Sequence, residues 1–231
     1  MNMVSLVGNW GGGAIWRVTS GNFLSNAYFC EANVPGGCIL IDAGLDGPAI
    51  DAAMVERGLR PYQVFCTHGH FDHAGSAAYF QEKYGCQVFM HKADTRTLKA
   101  SNFLLMALKI PNKIKIPEVT YLESQLVINV IGHDLTYLPV PGHTPGSCVL
   151  QFGSAWFTGD TIYSQGVGLS SLPGEDANIL KKSILGLWDR LLEDRNIFPG
   201  HGDAASSTTI RSENRALLKF LALVESDSEL Q

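Results

Sequence analysis

Nine residues, THGHFDHAG at 67–75, bring three imidazoles and a carboxylate together as His68, His70, Asp72 and His73. Neutral imidazole and carboxylate are the ligand types that zinc, iron and manganese share, so the chemistry on offer is that of a bound divalent ion. His68 and His70 lie two apart, and in an extended segment their side chains project the same way and can grip one ion. Asp72 and His73 fall at the start of the following helix and point elsewhere, which suits a second ion beside the first. Two ions need more ligands than one loop gives. Three later loops offer them: His143 in PGHTPGS, Asp160 in TGDT and His201 in PGHGD. The two oxygens of a carboxylate such as Asp160 can bridge a pair of ions. Glycine beside each candidate lets the backbone turn tightly and direct the side chain inward.

Plainer readings exist for each residue alone. Asp72 reads as the N-cap of the AGSAAYF helix, a role compatible with facing a metal. His143 reads as a satisfied histidine in a Gly-Pro turn. His91 and His133, outside such loops, are read as structural. The joint pattern favours ligands, because independent turn histidines would not gather as HxHxDH followed by three more metal-type residues in loops that follow strands.

Strand-end loops are where α/β proteins build sites, since the strand fixes the loop while its side chains stay free. The elements that must position them can be read along the chain. AIWRVT, NAYFCEA and CILIDAG read as a meander joined by Gly-rich turns. DGPAIDAAMVERGL reads as a helix, PYQVFC as the strand feeding the histidine loop, AGSAAYFQEKYG as a helix and CQVFMH as a strand. Residues 92–118 break this rhythm and are expected to form a lid or an insertion. Within them the apolar run FLLMALKI is read as packing on the core, with a pocket lining as the alternative. Strands resume with LVINVIG, LTYLPVPG, SCVLQFG and AWFTGD. A long amphipathic helix is expected from about Asp176 to Asp194, and a last one from about Ser207 to Val224. With no linker in view, residues 1–231 are expected to form one domain of βα units flanking a β-rich centre.

The totals narrow the function. A chain of 231 residues with 45% hydrophobic residues can bury a sizeable core. A formal charge of -5 without a basic run favours neither nucleic acid nor an anionic membrane as partner. FLLMALKI is too short to span a bilayer, and the opening residues do not read as a secretory signal, so a soluble cytoplasmic protein is expected. The five cysteines, including Cys66 and Cys148, are scattered without a C-x-x-C pair and read as buried thiols.

HGHFDHAG, PGHTPGS, TGD and PGHGD, in this order over residues 13–203, resemble the metallo-β-lactamase superfamily, and within it the small glyoxalase II-like hydrolases. The resemblance implies a four-layer αββα sandwich with a metal site at one edge of its two sheets. It implies one ion on His68, His70 and His143, a second on Asp72, His73 and His201, and Asp160 bridging. Asp42 of ILIDAG matches the family's first motif and is implied to support the metal loop from behind; alone it reads equally well as a turn aspartate. Two divalent ions are implied, zinc foremost, with iron or manganese as alternatives.

Such a pair can hold a hydroxide at neutral pH and polarise a carbonyl, so neither cysteine needs a catalytic role. Asp72 is then placed to orient the nucleophile and pass a proton to the leaving group. A thioester is the leading substrate. Full glyoxalase II carries a helical glutathione-binding domain, whereas about thirty residues follow His201 here. Leu169 and Ser171 also stand where close small relatives carry an arginine and an acid. HFDHAG further resembles the acyl-homoserine lactonases, which makes an acyl lactonase the alternative. A mononuclear iron persulfide dioxygenase is a rival against which His201 weighs, and a metal-bound binding protein without turnover is a third reading.

Overall fold

The computed structural model describes residues 3–20, 23–32, 34–170 and 172–223, leaving Ser171 and Val224 outside the described residues. Its first half opens with an antiparallel meander of β1 (Met3–Asn9), β2 (Ala14–Ser20), β3 (Ser25–Glu31) and β4 (Gly37–Ile41). Helix α1 (Gly47–Val55), β5 (Arg60–Phe65), the single-turn α2 (Phe71–Ala74) and α3 (Ala77–Tyr84) follow. Then come β6 (Gln87–His91), α4 (Thr95–Ala107) and β7 (Val119–Leu122), with β4 to β7 parallel. These seven strands form one sheet in sequence order. The second sheet holds β8 (Leu126–Val130), β9 (His133–Pro139), β10 (Cys148–Phe152) and β11 (Ala155–Gly159). After α5 (Ala177–Leu187) it is completed by β12 (Asn196–Pro199) and β13 (Ala205–Ser206), in the order β13-β12-β11-β10-β9-β8. Helices α6 (Ser207–Glu213) and α7 (Arg215–Leu221) close the described chain.

Strand alternation sorts these elements into layers, because successive side chains leave opposite faces. In β3, Phe29 joins Leu40 and Val64 against Ile50, Phe80 and Leu98 of α1, α3 and α4. Its neighbours Tyr28 and Cys30 face the other way, meeting Ile39, Phe65, Phe157 and Phe198 between the sheets. On the far face, Val149, Trp156 and Ile197 pack against Leu180 and Ile184 of α5, Ile210 of α6 and Leu217 of α7. Three apolar seams bind four layers, helix on sheet on sheet on helix, which is the expected sandwich. Each fully buried Leu, Ile or Phe contributes about 1.5–3 kcal/mol. All five cysteines are buried and free, as expected of apolar fillers.

Helix ends follow local chemistry. Asp46 caps α1 by accepting from the Ala49 amide, with Pro48 in the first turn. Asp176 caps α5 through the amides of Asn178 and Ile179. That helix stops at Leu187 and tightens to a 3₁₀ turn over Trp188–Leu192, short of the expected Asp194. The expected last helix is two. Asn214, fully buried, accepts from the Leu217 amide to start α7. The same side chain donates to the carbonyls of Tyr163 and Gly166 and accepts from the Gly166 amide, so the break anchors the loop beyond β11.

Residues 92–118 comprise a 3₁₀ turn at Lys92–Asp94, α4, and an irregular return. The return is held by side-chain amides: Asn102 exchanges two bonds with the backbone of Ile114, and Gln81 two with Glu118. FLLMALKI packs on one side only, where Leu105 is buried while Phe103 and Met106 are 70% and 66% exposed. Among the described residues, no helix is long and apolar enough to cross a membrane.

Candidate metal centre

Five strands end at one edge, and each hands its next residues to the site. Asp42 follows β4, His68 and His70 follow β5, His143 follows β9, Asp160 follows β11 and His201 follows β12. The two sheets are sewn together there. The Asn26 amide of β3 donates to the Gly200 carbonyl at 2.8 Å, and the Cys148 amide of β10 donates to Thr67 at 2.8 Å. Gly200 is required at this seam, since a Cβ would run into the Asp160 carboxylate and the His73 ring.

All seven expected ligands converge. The donor atoms of His68, His70 and His143 lie within 4.8 Å of one another, as do those of Asp72, His73 and His201. His68, His73 and Asp160 form a third such group, so the two triads adjoin. Asp160 stands between them. Its Oδ1 is 3.4 Å from His73 Nε2, while Oδ2 is 3.4 Å from Nε2 of both His143 and His201. Asp72 Oδ2 lies 3.6 Å from His73 Nε2 and 3.5 Å from His201 Nε2. Asp72 sits in the first turn of α2 and caps nothing. His70 occupies the N-cap position of α2, and Ser76 that of α3.

Groups behind the imidazoles set their tautomers. His73 Nδ1 donates to Asp42 Oδ2 at 2.9 Å. The Thr67 hydroxyl also donates to that oxygen, and so must accept from His68 Nδ1 at 3.0 Å. His143 Nδ1 donates to the Gly168 carbonyl at 3.0 Å, and His201 Nδ1 to that of Phe23 at 3.1 Å. With these protons committed outward, Nε2 of His68, His73, His143 and His201 turns its lone pair inward. His70 presents Nδ1, 3.0 Å from His143 Nε2.

Such an arrangement fits a cation. His68 Nε2 and Asp160 Oδ1 are buried without any hydrogen-bond partner among the described residues, a costly state for polar atoms that ligation would relieve. His73 Nε2 faces His201 Nε2 at 3.3 Å, two lone pairs that need a proton or a metal between them. Burial opposes charge on His73, but Asp160, Asp72 and Asp42 outweigh it and raise its pKa to about 9. Burial also opposes charge on His201, where Asp160 and Asp72 raise the pKa to about 10. Burial, then His143, lowers His70 to about 4, and burial with His73 keeps His68 well below its ordinary value. Burial would raise Asp160, yet the surrounding imidazoles hold it well below the usual carboxylate range.

Asp42 lies behind the loop of His68 and His73. Its backbone takes the left-handed conformation at φ 54°, and its carboxylate accepts from the Thr67 amide as well as from the Thr67 and His73 side chains. His91 and His133 stay outside the centre, His91 accepting from the Ala93 amide and His133 packing edge-on to Trp10. One supporting residue carries no motif. Asp94, fully buried, accepts from the amides of Gly69 and Gly146 and from the Thr144 hydroxyl, joining the loop of His68 and His70 to the loop of His143. Its only sequence signal is a polar residue before a helix, the mark of an ordinary N-cap.

A seam of two sheets bearing this His/Asp cluster defines a metal-site sandwich. The chain belongs to the metallo-beta-lactamase superfamily, whose model matches residues 20–201. It is 28% identical over 210 residues to the probable metallo-hydrolase YqgX of Bacillus subtilis, covering 88% of this chain and 97% of that one. It is 33% identical over 170 residues to a hydroxyacylglutathione hydrolase of Anaeromyxobacter dehalogenans, covering 74% of this chain and 59% of that protein. Among solved structures, the di-iron-bound form of TTHA1623 superposes with a TM-score of 0.73 at 28% identity, covering 86% of this chain and 97% of that one.

Proposed function

We propose that this chain is a dinuclear metal-dependent hydrolase that cleaves thioesters or related ester-like bonds. His68, His70 and His143 would hold one ion and Asp72, His73 and His201 the other, with Asp160 shared and zinc as the metal. The observation that carries the reading is the pair of buried, partnerless ligand atoms, His68 Nε2 and Asp160 Oδ1, at the junction of two triads. When bound, the ions supply an activated water and positive charge toward a carbonyl oxygen.

The chain's own residues do the rest. Asp72 is held below the usual carboxylate range because His73 and His201 outweigh its burial, so it stays ionised. Its Oδ2, set against Nε2 of His73 and His201, would orient the attacking water, take its proton and deliver it to the leaving thiol. Ser25 fixes that turn by donating to the Asp72 carbonyl at 2.8 Å. Asp42 and the carbonyls of Gly168 and Phe23 keep the imidazoles in their ligating tautomers. His201, seated against Asp72 and Asp160, supports the two-ion reading over a mononuclear iron dioxygenase. The relatives named as hydroxyacylglutathione hydrolases support a thioester.

Elemental analysis of protein purified without added metal, followed by a thioester, lactone and β-lactam panel on the same sample, tests this. Two ions per chain with thioester turnover is the expected result. One iron per chain with oxygen consumption would overturn it, and lactone turnover alone would shift the substrate class.

A further inference from the structure

A cleft of about 990 Å³ opens beside the metal centre, with His70 in its wall, between α4 and the turns that carry Pro145 and Pro173. Arg96, Lys99 and Phe103 of α4 line it. Their spacing of three and seven residues puts them on one face of the helix, spread over about 10 Å. Among the described residues, neither Arg96 nor Lys99 has a carboxylate partner, and no Asp or Glu lines the cleft. Lys92, also in the wall, is already paired with Glu123 at 2.6 Å. The first turn of α4 lies here too, the positive end of its dipole. Asp94, which precedes it, gives α4 no side-chain cap because its carboxylate is engaged with the metal loops.

The cleft wall thus carries two cationic side chains that form no ion pair among the described residues, in a chain whose formal net charge is -5. Apolar surface continues the wall in Phe103 and Leu104. Leaving a phenylalanine this open forgoes roughly 2 kcal/mol that a covering apolar group would recover.

We propose that this cleft receives an anionic arm of the substrate, a short methylene chain lying along Phe103 and Leu104 and ending in an oxyanion held by Arg96 and Lys99. The proposal rests on the hydrolase reading and deepens it: the preferred substrates are thioesters whose part beyond the carbonyl carries a terminal carboxylate or phosphate. It also assigns α4, within residues 92–118, as the wall that selects them.

Two measurements on the metal-loaded full chain test it. The first compares kcat/KM for the glutaryl and pentanoyl thioesters of one thiol, which differ in the terminal carboxylate. A preference of tenfold or more for glutaryl is expected, falling to near one in R96E/K99E and surviving in R96K. Equal rates for the two esters in the unsubstituted protein would overturn the proposal. The second measures calorimetric binding of glutarate and butyl phosphate, which does not depend on turnover. Weakening of at least tenfold in R96E/K99E is expected, and the tighter probe identifies the oxyanion. Binding unchanged by the double substitution would overturn the proposal. Substitution-sensitive binding without hydrolysis of any ester would sink the thioesterase reading and leave the anion site standing.

Discussion

Two facing imidazoles, His73 and His201, dominate the electrostatics of the centre. The surrounding carboxylates raise their pKa values to about 9 and 10, so the facing pair retains a proton between its Nε2 atoms at pH 7 in the metal-free protein, and an incoming metal must displace it. Calorimetry in buffers of different ionisation enthalpy should show proton release at pH 7 that fades as pH approaches 10. The sign for stability follows from the same values. Both pKa values lie above that of an unfolded histidine, about 6.5, so their contribution is complete below that pH and lost as pH rises toward 9 and 10. Urea unfolding of the metal-free form should weaken over this window. Asp42 admits a sharper test, because it accepts from His73 and twice from Thr67. Asp42→Asn is expected to lower metal affinity by about 10–100-fold in a chelator competition. The seven candidate ligands and Asp42 could be picked out in the sequence because each sits in a short Gly-bearing motif. Asp94 could not, since its partners at Gly69, Thr144 and Gly146 come from loops far apart in the chain.

Among the elements, the break between α6 and α7 shows where periodicity misleads. Apolar spacing runs on from Ile210 to Leu217 and Leu221, so the segment reads as one helix. Asn214 intervenes with a buried amide that serves both the α7 terminus and the loop at 163–166. Asn214→Ala would remove the cap and strand those partners, and a loss of about 2–3 kcal/mol is expected in urea melts. β7 was hidden for a different reason. Its four residues follow the proline-punctuated return from α4, and only Leu122 is buried. Pairing with β6, rather than any pattern of its own, makes VTYL a strand.

For the whole molecule, alternation in the sequence announced most strands and helices near their observed places, missing β1 and β7, but not two sheets. Residue patterns alone reached βα units around a β-rich centre. The sandwich came from the motif resemblance, since which apolar face meets which is decided by contacts such as Tyr28 with Phe157 and Phe198. The placement of the ligands has one more consequence. His68, His70, Asp72 and His73 follow a strand of the first sheet, whereas His143, Asp160 and His201 follow strands of the second. Neither candidate triad is complete until the sheets have docked, so a metal bound there is expected to be captured late in folding. Metal should then leave the refolding rate nearly unmoved and slow unfolding, which stopped-flow chevrons recorded with and without zinc would reveal. Refolding accelerated as much as unfolding is slowed would instead mean that the ion helps the sheets find each other. On the docking-first account the ion is a latch: it decides how long the native state lasts, not how quickly it forms.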